Sequence, residues 1–549
     1  MQAERVGNKF FFSRRPGTGV RRSALVACAP VFFGVATPVV AQSVPATGTT
    51  PATGAIAPIA AAPAIGEGDA GVQRRAWSVV PRIASTMTFT DNVSAVGTGG
   101  KQDDIITSLA PGVRLSGETA RLRVFADYSL RFLNYARTSG RDTTQNTLNT
   151  FGTFEAVERW LYVDAGWTIS QQTISAFGAQ NAGVGSLNAN STETSNFRLS
   201  PYVRGRLGSF ANYELRYSIN DISSKSALTT NTRNEVFSGR LNGATALAAL
   251  GWGLEANRQS VEYANGRHSQ IDSLRGRLVY TFNPSWRANF SIGQESNNFS
   301  LAGESARLTH GYGADWTPNE RMRVSAFREK RFFGFGHNIS VSYRTPFAAL
   351  RFIDTRDVSV TPNQSGTASV GTYYDLLFAQ LASSVPDPVA RAQQVNSTLA
   401  QAGISPTAAI TNGFLSSRAL VRRRQDVSLI FNGRRNTVTY TLFQSEQQSA
   451  TVGAAGVDDF TASTSIRQRG MSSNLSHRLS PSTSINTLTS WQRSEGNTGL
   501  STKTTNASLG VTTRFGARTT GSFTLRMTRS DGVTSFAENA VLAALNLQF

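Results

Sequence analysis

The chain has 549 residues and a formal net charge of +19, yet only 16% of its residues are charged and 40% are apolar. Gly, Ser, Thr, Asn and Phe are abundant while helical periodicity is nearly absent, a β profile that argues against a helical assembly. The single cysteine, Cys28, leaves everything after it without a disulfide, a thiolate metal site or cysteine redox chemistry.

Basic residues Arg5, Lys9, Arg14, Arg15, Arg21 and Arg22 precede an apolar run from Ala24 to Val40, and Val39, Val40 and Ala41 place small side chains before Gln42. This is the layout of a cleaved export signal over residues 1–41, because Pro30, Gly34 and Pro38 interrupt a run already short for a spanning helix. Residues 42–76 are Ala, Pro, Thr and Gly in low-complexity order, which predicts a disordered periplasmic linker with too few large apolar groups to pack. A strongly basic chain often binds nucleic acid. In an exported β-rich chain the charge points instead to acidic polymers and to outer-membrane lipid or lipopolysaccharide, and no nucleic-acid partner is expected.

From Trp77 onward the chain is a succession of segments of two-residue alternation separated by turn signals, the pattern of transmembrane barrel strands. Leu122, Val124, Ala126, Tyr128, Leu130 and Phe132 share one face, opposite Arg121, Arg123, Asp127, Ser129 and Arg131. Near the end, Thr519, Gly521, Phe523, Leu525 and Met527 alternate with Arg518, Thr520, Ser522, Thr524 and Arg526. The last segment sets Val541, Ala543, Leu545, Leu547 and Phe549 against Leu542, Ala544, Asn546 and Gln548. A soluble sandwich also alternates, but the export signal and the terminal aromatic favour an all-β, large antiparallel transmembrane barrel over residues 77–549. Leu545, Leu547 and Phe549 resemble the signal read by the bacterial barrel-assembly machinery, which makes that machinery an expected partner and the outer membrane of a Gram-negative cell the expected location.

Strand parity sets the count. Bacterial single-chain barrels have even strand numbers, short periplasmic turns and longer outer loops. Counting from Ser78 gives a fourteenth, descending segment at Gly336 to Tyr343, and counting back from Phe549 gives a further descending segment near Val427. Two successive descents are impossible, so an ascending strand is required between them. Leu350 to Thr361 supplies it, after a turn at Thr345-Pro346, and the total becomes about 22 (20–22). Residues 362–421 then form one long extracellular loop with short helices. One helix is bracketed by Asp387-Pro388 and Gly403 and carries Val389, Ala392, Val395, Leu399 and Ala402; Tyr373 to Leu381 forms the second. Tyr373, Tyr374, Leu377, Phe378, Val389 and Leu399 are the candidate lid of the barrel mouth, and an exposed surface loop is the alternative.

Arg121, Arg123, Arg131, Arg275, Arg277, Arg321, Arg323, Arg514, Arg518 and Arg526 fall on the face opposite the apolar stripe and are predicted to point into the lumen. Guanidinium groups in a low-dielectric-walled channel would favour anions. Alternatively, Asp127, Glu155, Glu214, Glu255 and Glu329 pair with them as a mesh that stiffens a filled barrel. No catalytic residues, metal ligands or cofactors are assigned: His268, His310, His337 and His477 lie in separate segments without ligand spacing, and no phosphate loop or nucleophile elbow occurs. The outer-loop acid pairs Asp103-Asp104 and Asp458-Asp459 with His268 leave an outer-membrane protease as a remote alternative.

Several segments resemble one family in order along the chain. They are Trp77 to Val93, with Pro81-Arg82-Ile83 and Thr90-Asp91-Asn92-Val93; Asp104-Ile105-Ile106; and Ala110-Pro111-Gly112-Val113. Asp127-Tyr128-Ser129-Leu130, Ser170-Gln171-Gln172, Leu199-Ser200-Pro201-Tyr202, Tyr343-Arg344-Thr345-Pro346 and Pro386-Asp387-Pro388 continue the series. Together they resemble the outer-membrane proteins associated with the PEP-CTERM/exosortase system. The resemblance implies an association with exosortase sorting and exopolysaccharide biosynthesis, and transfers no catalytic residue. The expected function is therefore a non-enzymatic barrel serving anionic exopolysaccharide or other surface traffic. A closed barrel whose loops dock envelope partners is the second reading. A siderophore-type transporter fits 22 strands, but only about 35 residues separate the leader from the first strand, too few for a plug.

Overall fold

A computed structural model describes residues 77–97, 99–180, 189–226, 229–299, 305–359, 414–416, 418–450 and 458–549. The export signal, the linker and the six candidate lid residues Tyr373, Tyr374, Leu377, Phe378, Val389 and Leu399 lie outside them.

The described residues form one 22-stranded antiparallel sheet, β1 (Trp77–Thr90) to β22 (Phe536–Gln548). Each strand pairs with its sequence neighbours. The ring closes where β1 meets β22, in register from Arg82 opposite Gln548 to Thr90 opposite Ala540. Closure removes the unpaired edges that an open sheet would expose in lipid. Phe549 extends the seam, its N–H donating to the Pro81 carbonyl at 2.9 Å, and its ring is exposed. The strand required by parity is present: β14 (Gly334–Arg344) descends, Thr345 and Pro346 turn the chain, and β15 (Ala348–Ser359) ascends to pair with β16 (Leu420–Asn432). β16 starts at Leu420, so the last two residues of the expected loop belong to the wall.

Strand lengths run from 10 residues in β13 (Met322–Arg331) to 17 in β6 (Ser191–Leu207), enough to cross a bilayer at the tilt of a barrel. The alternation places large apolar side chains outward. On β10 (His268–Asn283), Leu274 and Leu278 are 53% and 50% exposed, while the intervening Arg275 is 4% exposed. One end carries short turns and an outward aromatic girdle: Trp160, Phe210, Trp286, Phe347 and Phe515 are exposed there, and Trp286 stacks on Trp316 at 5.4 Å. An apolar belt with aromatic side chains at its interface is what hydrocarbon selects. The longer connections, including the one after β15, share the opposite end, so the barrel is an outer-membrane one with its short turns toward the periplasm.

Gly334, at φ 98°, lets β13 turn into β14 across only two residues at the outer end. This makes the hairpin one of the lowest points of the outer rim.

Candidate functional site

Two features occupy the interior: an ion-pair mesh along the wall and a cap across the outer mouth. The mesh follows from inward parity, because side chains one to three strands apart meet on the concave face. Arg275 on β10 pairs with Glu329 on β13 at 2.7 Å, and both are about 5% exposed or less. Arg331, also on β13, donates to Glu295 of β11 (Trp286–Asn297) at 2.8 Å and reaches Asp357 of β15. Arg82 and Arg114 converge on Asp127, the second at 2.8 Å. Arg216 bridges Asp164 at 2.7 Å and Glu214 at 3.3 Å. Arg526 meets Glu538 at 2.9 Å, and Thr90 donates to the same carboxylate, tying β1 to the closing hairpin.

The expected arginines thus divide. Arg275 and Arg526 are buried and paired, and Arg123 pairs with Glu118 at 3.2 Å near the periplasmic rim. Arg131 and Arg277 face inward, and among the described residues no carboxylate lies within ion-pair reach of either; Arg422 of β16 is a third of this kind. Arg323 and Arg514 also face inward but are exposed near strand ends. Arg121, Arg321 and Arg518, expected in the lumen, lie instead in the short turns and not in the wall, because the alternation of residue types runs on past the last ladder residue. Of the expected acids, Asp127, Glu214, Glu255 and Glu329 pair with arginines, but Glu155 instead accepts from the Arg159 N–H and the Tyr162 hydroxyl at 3.3 Å. Glu295, Arg331, Asp357 and Glu538 went unnoticed in sequence, although their parity alone would have placed them inside.

The cap is built by outer connections. Strands β5 (Leu161–Thr173) and β16 stand eleven apart in a ring of 22, on opposite sides of it. The Leu415 N–H nevertheless donates to the Thr173 carbonyl at 3.0 Å, and Thr502 of β20 (Ser501–Arg514) donates to the Phe177 carbonyl at 2.8 Å. Residues after β5 therefore cross the mouth. Phe177, Phe414, Phe460, Leu420 and Ile466 form a buried apolar cluster there with Ala176. A one-turn helix, α1 (Asp459–Ala462), holds them. Asp458 caps it and accepts from Arg418 at 3.0 Å, while Asp459 accepts from the Ser175 hydroxyl and the Ala176 N–H, both at 2.6 Å. Burial raises the pKa of the Asp459 carboxyl above its ordinary value, against the lowering effect of its two donors. Nothing in the sequence singled out Phe177, since one aromatic in a polar loop has no periodicity to read.

The acid pairs serve structure. Asp104 accepts from the N–H groups of Ile105, Arg137 and Thr138, and Asp458 and Asp459 anchor the cap. His268 contacts Gln270 at 3.4 Å, His337 contacts Asp354 at 2.9 Å, and His477 contacts Asn436 at 2.5 Å. Among the described residues no three His, Cys, Asp or Glu groups converge on a metal position.

No family model and no curated protein matches the chain. Solved structures similar to it include the siderophore receptor PirA from Pseudomonas aeruginosa, at 10% identity and TM-score 0.42, covering 85% of this chain and 80% of that one. A mutant of the ferric enterobactin receptor PfeA from the same organism, in complex with enterobactin, gives 10% identity and TM-score 0.46, covering 86% and 81%. PirA from Acinetobacter baumannii gives 10% and 0.43, covering 86% and 80%. At such distances the likeness says nothing of cargo.

Proposed function

We propose that the barrel is a non-enzymatic conduit for anionic polymer, closed at rest by the outer cap. The observation that carries this reading is the inward arginine excess. Carboxylates neutralise much of the mesh, but Arg131, Arg277 and Arg422 present guanidinium groups with no carboxylate in ion-pair reach among the described residues. In a low-dielectric wall such charges attract anions, and uronic acids or phosphates fit the planar donors of arginine. The association with exosortase and exopolysaccharide systems rests on the ordered motifs of the sequence, and the barrel-assembly machinery as partner rests on Leu545, Leu547 and Phe549. Flux into liposomes tests the proposal: with the cap released, a uronic-acid oligosaccharide should enter faster than a neutral one of equal length. Equal rates would remove the anionic cargo.

The buried cap favours a second reading, a closed barrel whose loops dock an envelope partner. Cap-released protein that stays impermeable to both sugars would select it.

A further inference from the structure

The outer wall of β13 to β16 carries a charge pattern unlike the rest of the rim. Elsewhere most outward cations near the outer ends have carboxylate partners, as Lys225 with Glu193 at 2.7 Å, Arg233 with Glu235 at 3.1 Å and Arg529 with Asp531 at 3.3 Å, with Lys503 of β20 an exception among the described residues. On β13 to β15, Arg328, Lys330 and Arg356 also face outward by register, and among the described residues none has a carboxylate within ion-pair distance. The nearby Asp354 is already saturated by His337 at 2.9 Å, Arg423 at 3.0 Å and Gln425 at 2.9 Å.

The same four strands mark where hydrocarbon ends. Reading the outward face toward the outer rim, Val324 and Ala326 give way to Arg328, and Val341 and Ile339 to His337. Leu350 and Phe352 give way to Asp354, and Leu429 and Val427 to Gln425. Arg328 stands three residues below the end of β13, about 10 Å along the strand at ~3.4 Å per residue. That depth belongs to the polar margin of the outer leaflet, where an outward cation costs little.

At this boundary the wall is concave. A cavity of about 930 Å³ has Phe290, Tyr312 and Ile339 at its apolar end, and at its polar end Arg328, Arg356 and Arg423 together with Asp354 and Glu446, which are already paired with Arg423 and Arg467. Arg328 lies 4.0 Å from the Phe335 ring centroid, and Arg356 donates to the Phe335 carbonyl at 3.0 Å, so both guanidinium groups are held in place.

We infer that this cavity binds an anionic lipid of the outer leaflet, its phosphate against Arg328 and Arg356, with Lys330 two residues beyond Arg328 on the same face of β13, and an acyl chain along Phe290, Tyr312 and Ile339. Three features select a lipid. The cavity opens on the membrane-facing wall, its polarity changes at the hydrocarbon boundary, and with its carboxylates already paired it leaves Arg328 and Arg356 for a phosphorylated headgroup. A second copy related by a two-fold axis would set the same cations against each other, which disfavours self-association through this face. The site is on the opposite side of the wall from the lumen mesh and does not depend on transport.

The test uses the full-length barrel, extracted in mild detergent and checked for folding by the gel shift between unheated and boiled samples. Native mass spectrometry then follows the retention of bis-phosphorylated lipid A and of the same lipid dephosphorylated. The site predicts that the wild type retains the phosphorylated lipid at least tenfold better, and that R328Q/K330Q/R356Q lowers its retention about tenfold or more, since each cation contributes a charge-assisted bond. R233Q/R529Q, at matched pairs, should retain it normally, and the lysine replacements R328K/R356K should recover most of the loss. Equal retention of both lipids, or an unaltered triple variant, would overturn the site. Displacement of the lipid by excess inorganic phosphate alone, or a dimer mass lost in the triple variant, would overturn the lipid as its occupant.

Discussion

Replacing Asp459 by Ala should open the barrel. Its carboxylate is the link between α1 and the strand-crossing residues after β5, accepting from Ser175 and from the buried Ala176 at 2.6 Å each. Alanine leaves the Ala176 N–H without a partner inside the cap, at about 1–3 kcal/mol, and removes a second hydrogen bond of about 1 kcal/mol. A total near 3 kcal/mol shifts the closed-to-open ratio by about 150-fold. Asn can accept from the Ala176 N–H through its one oxygen and donate its amide N–H to the Ser175 hydroxyl, which reverses its role, and it lacks the charge that burial disfavours, so D459N should stay closed. The raised pKa also sets the pH response. The closed form holds the Asp459 proton more tightly than an open form in water, so closure strengthens as pH falls through the raised value and is complete below the ordinary carboxylate range. Open probability in planar bilayers should therefore rise in D459A, remain low in D459N, and in the wild type be lower at mildly acidic pH than at neutral pH. A D459A barrel that is folded and as silent as the wild type would refute the cap.

Breaking one partner of a buried pair should be costly. R275A leaves Glu329 uncompensated and should lose about 3–5 kcal/mol, read as a lower temperature for the gel-shift transition, whereas R275M/E329L should lie close to the wild type. In a cap-released background, R131Q/R277Q should lower anion-over-cation permeability without changing folding, measured from the reversal potential in a salt gradient. Deleting Phe549 removes one rim hydrogen bond, about 1 kcal/mol, so the assembled barrel should melt almost unchanged while its folded yield in the outer membrane falls several-fold. Equal yields would remove Phe549 from the assembly signal.

The wall was legible because a period-2 pattern facing lipid on one side leaves little choice of register. Parity alone demands an ascending strand at Leu350 to Thr361, and β15 (Ala348–Ser359) fills that place between β14 and β16. Strand ends were less legible. Arg121, Arg321 and Arg518 continue the alternation into turns, and only the hydrogen-bond ladder tells where it stops. Partners were harder still, because Arg331 finds Glu295 across an intervening strand and Phe177 meets Phe460 through nearly three hundred residues of chain. Such contacts depend on barrel curvature and loop path, neither of which leaves a local period. The outward excess at Arg328, Lys330 and Arg356 was hidden for a related reason: Arg356 sits on β15, two strands from Arg328 and Lys330 on β13, and only the register brings them together.

The central claim is an interior that attracts anions behind a closed cap, and the reversal potential of the D459A barrel in a planar bilayer with a KCl gradient tests it most directly. The account predicts a current whose reversal potential lies toward that of chloride, and that moves toward zero in D459A/R131Q/R277Q. A cation-selective current, or an anion preference unaffected by losing both arginines, would contradict it.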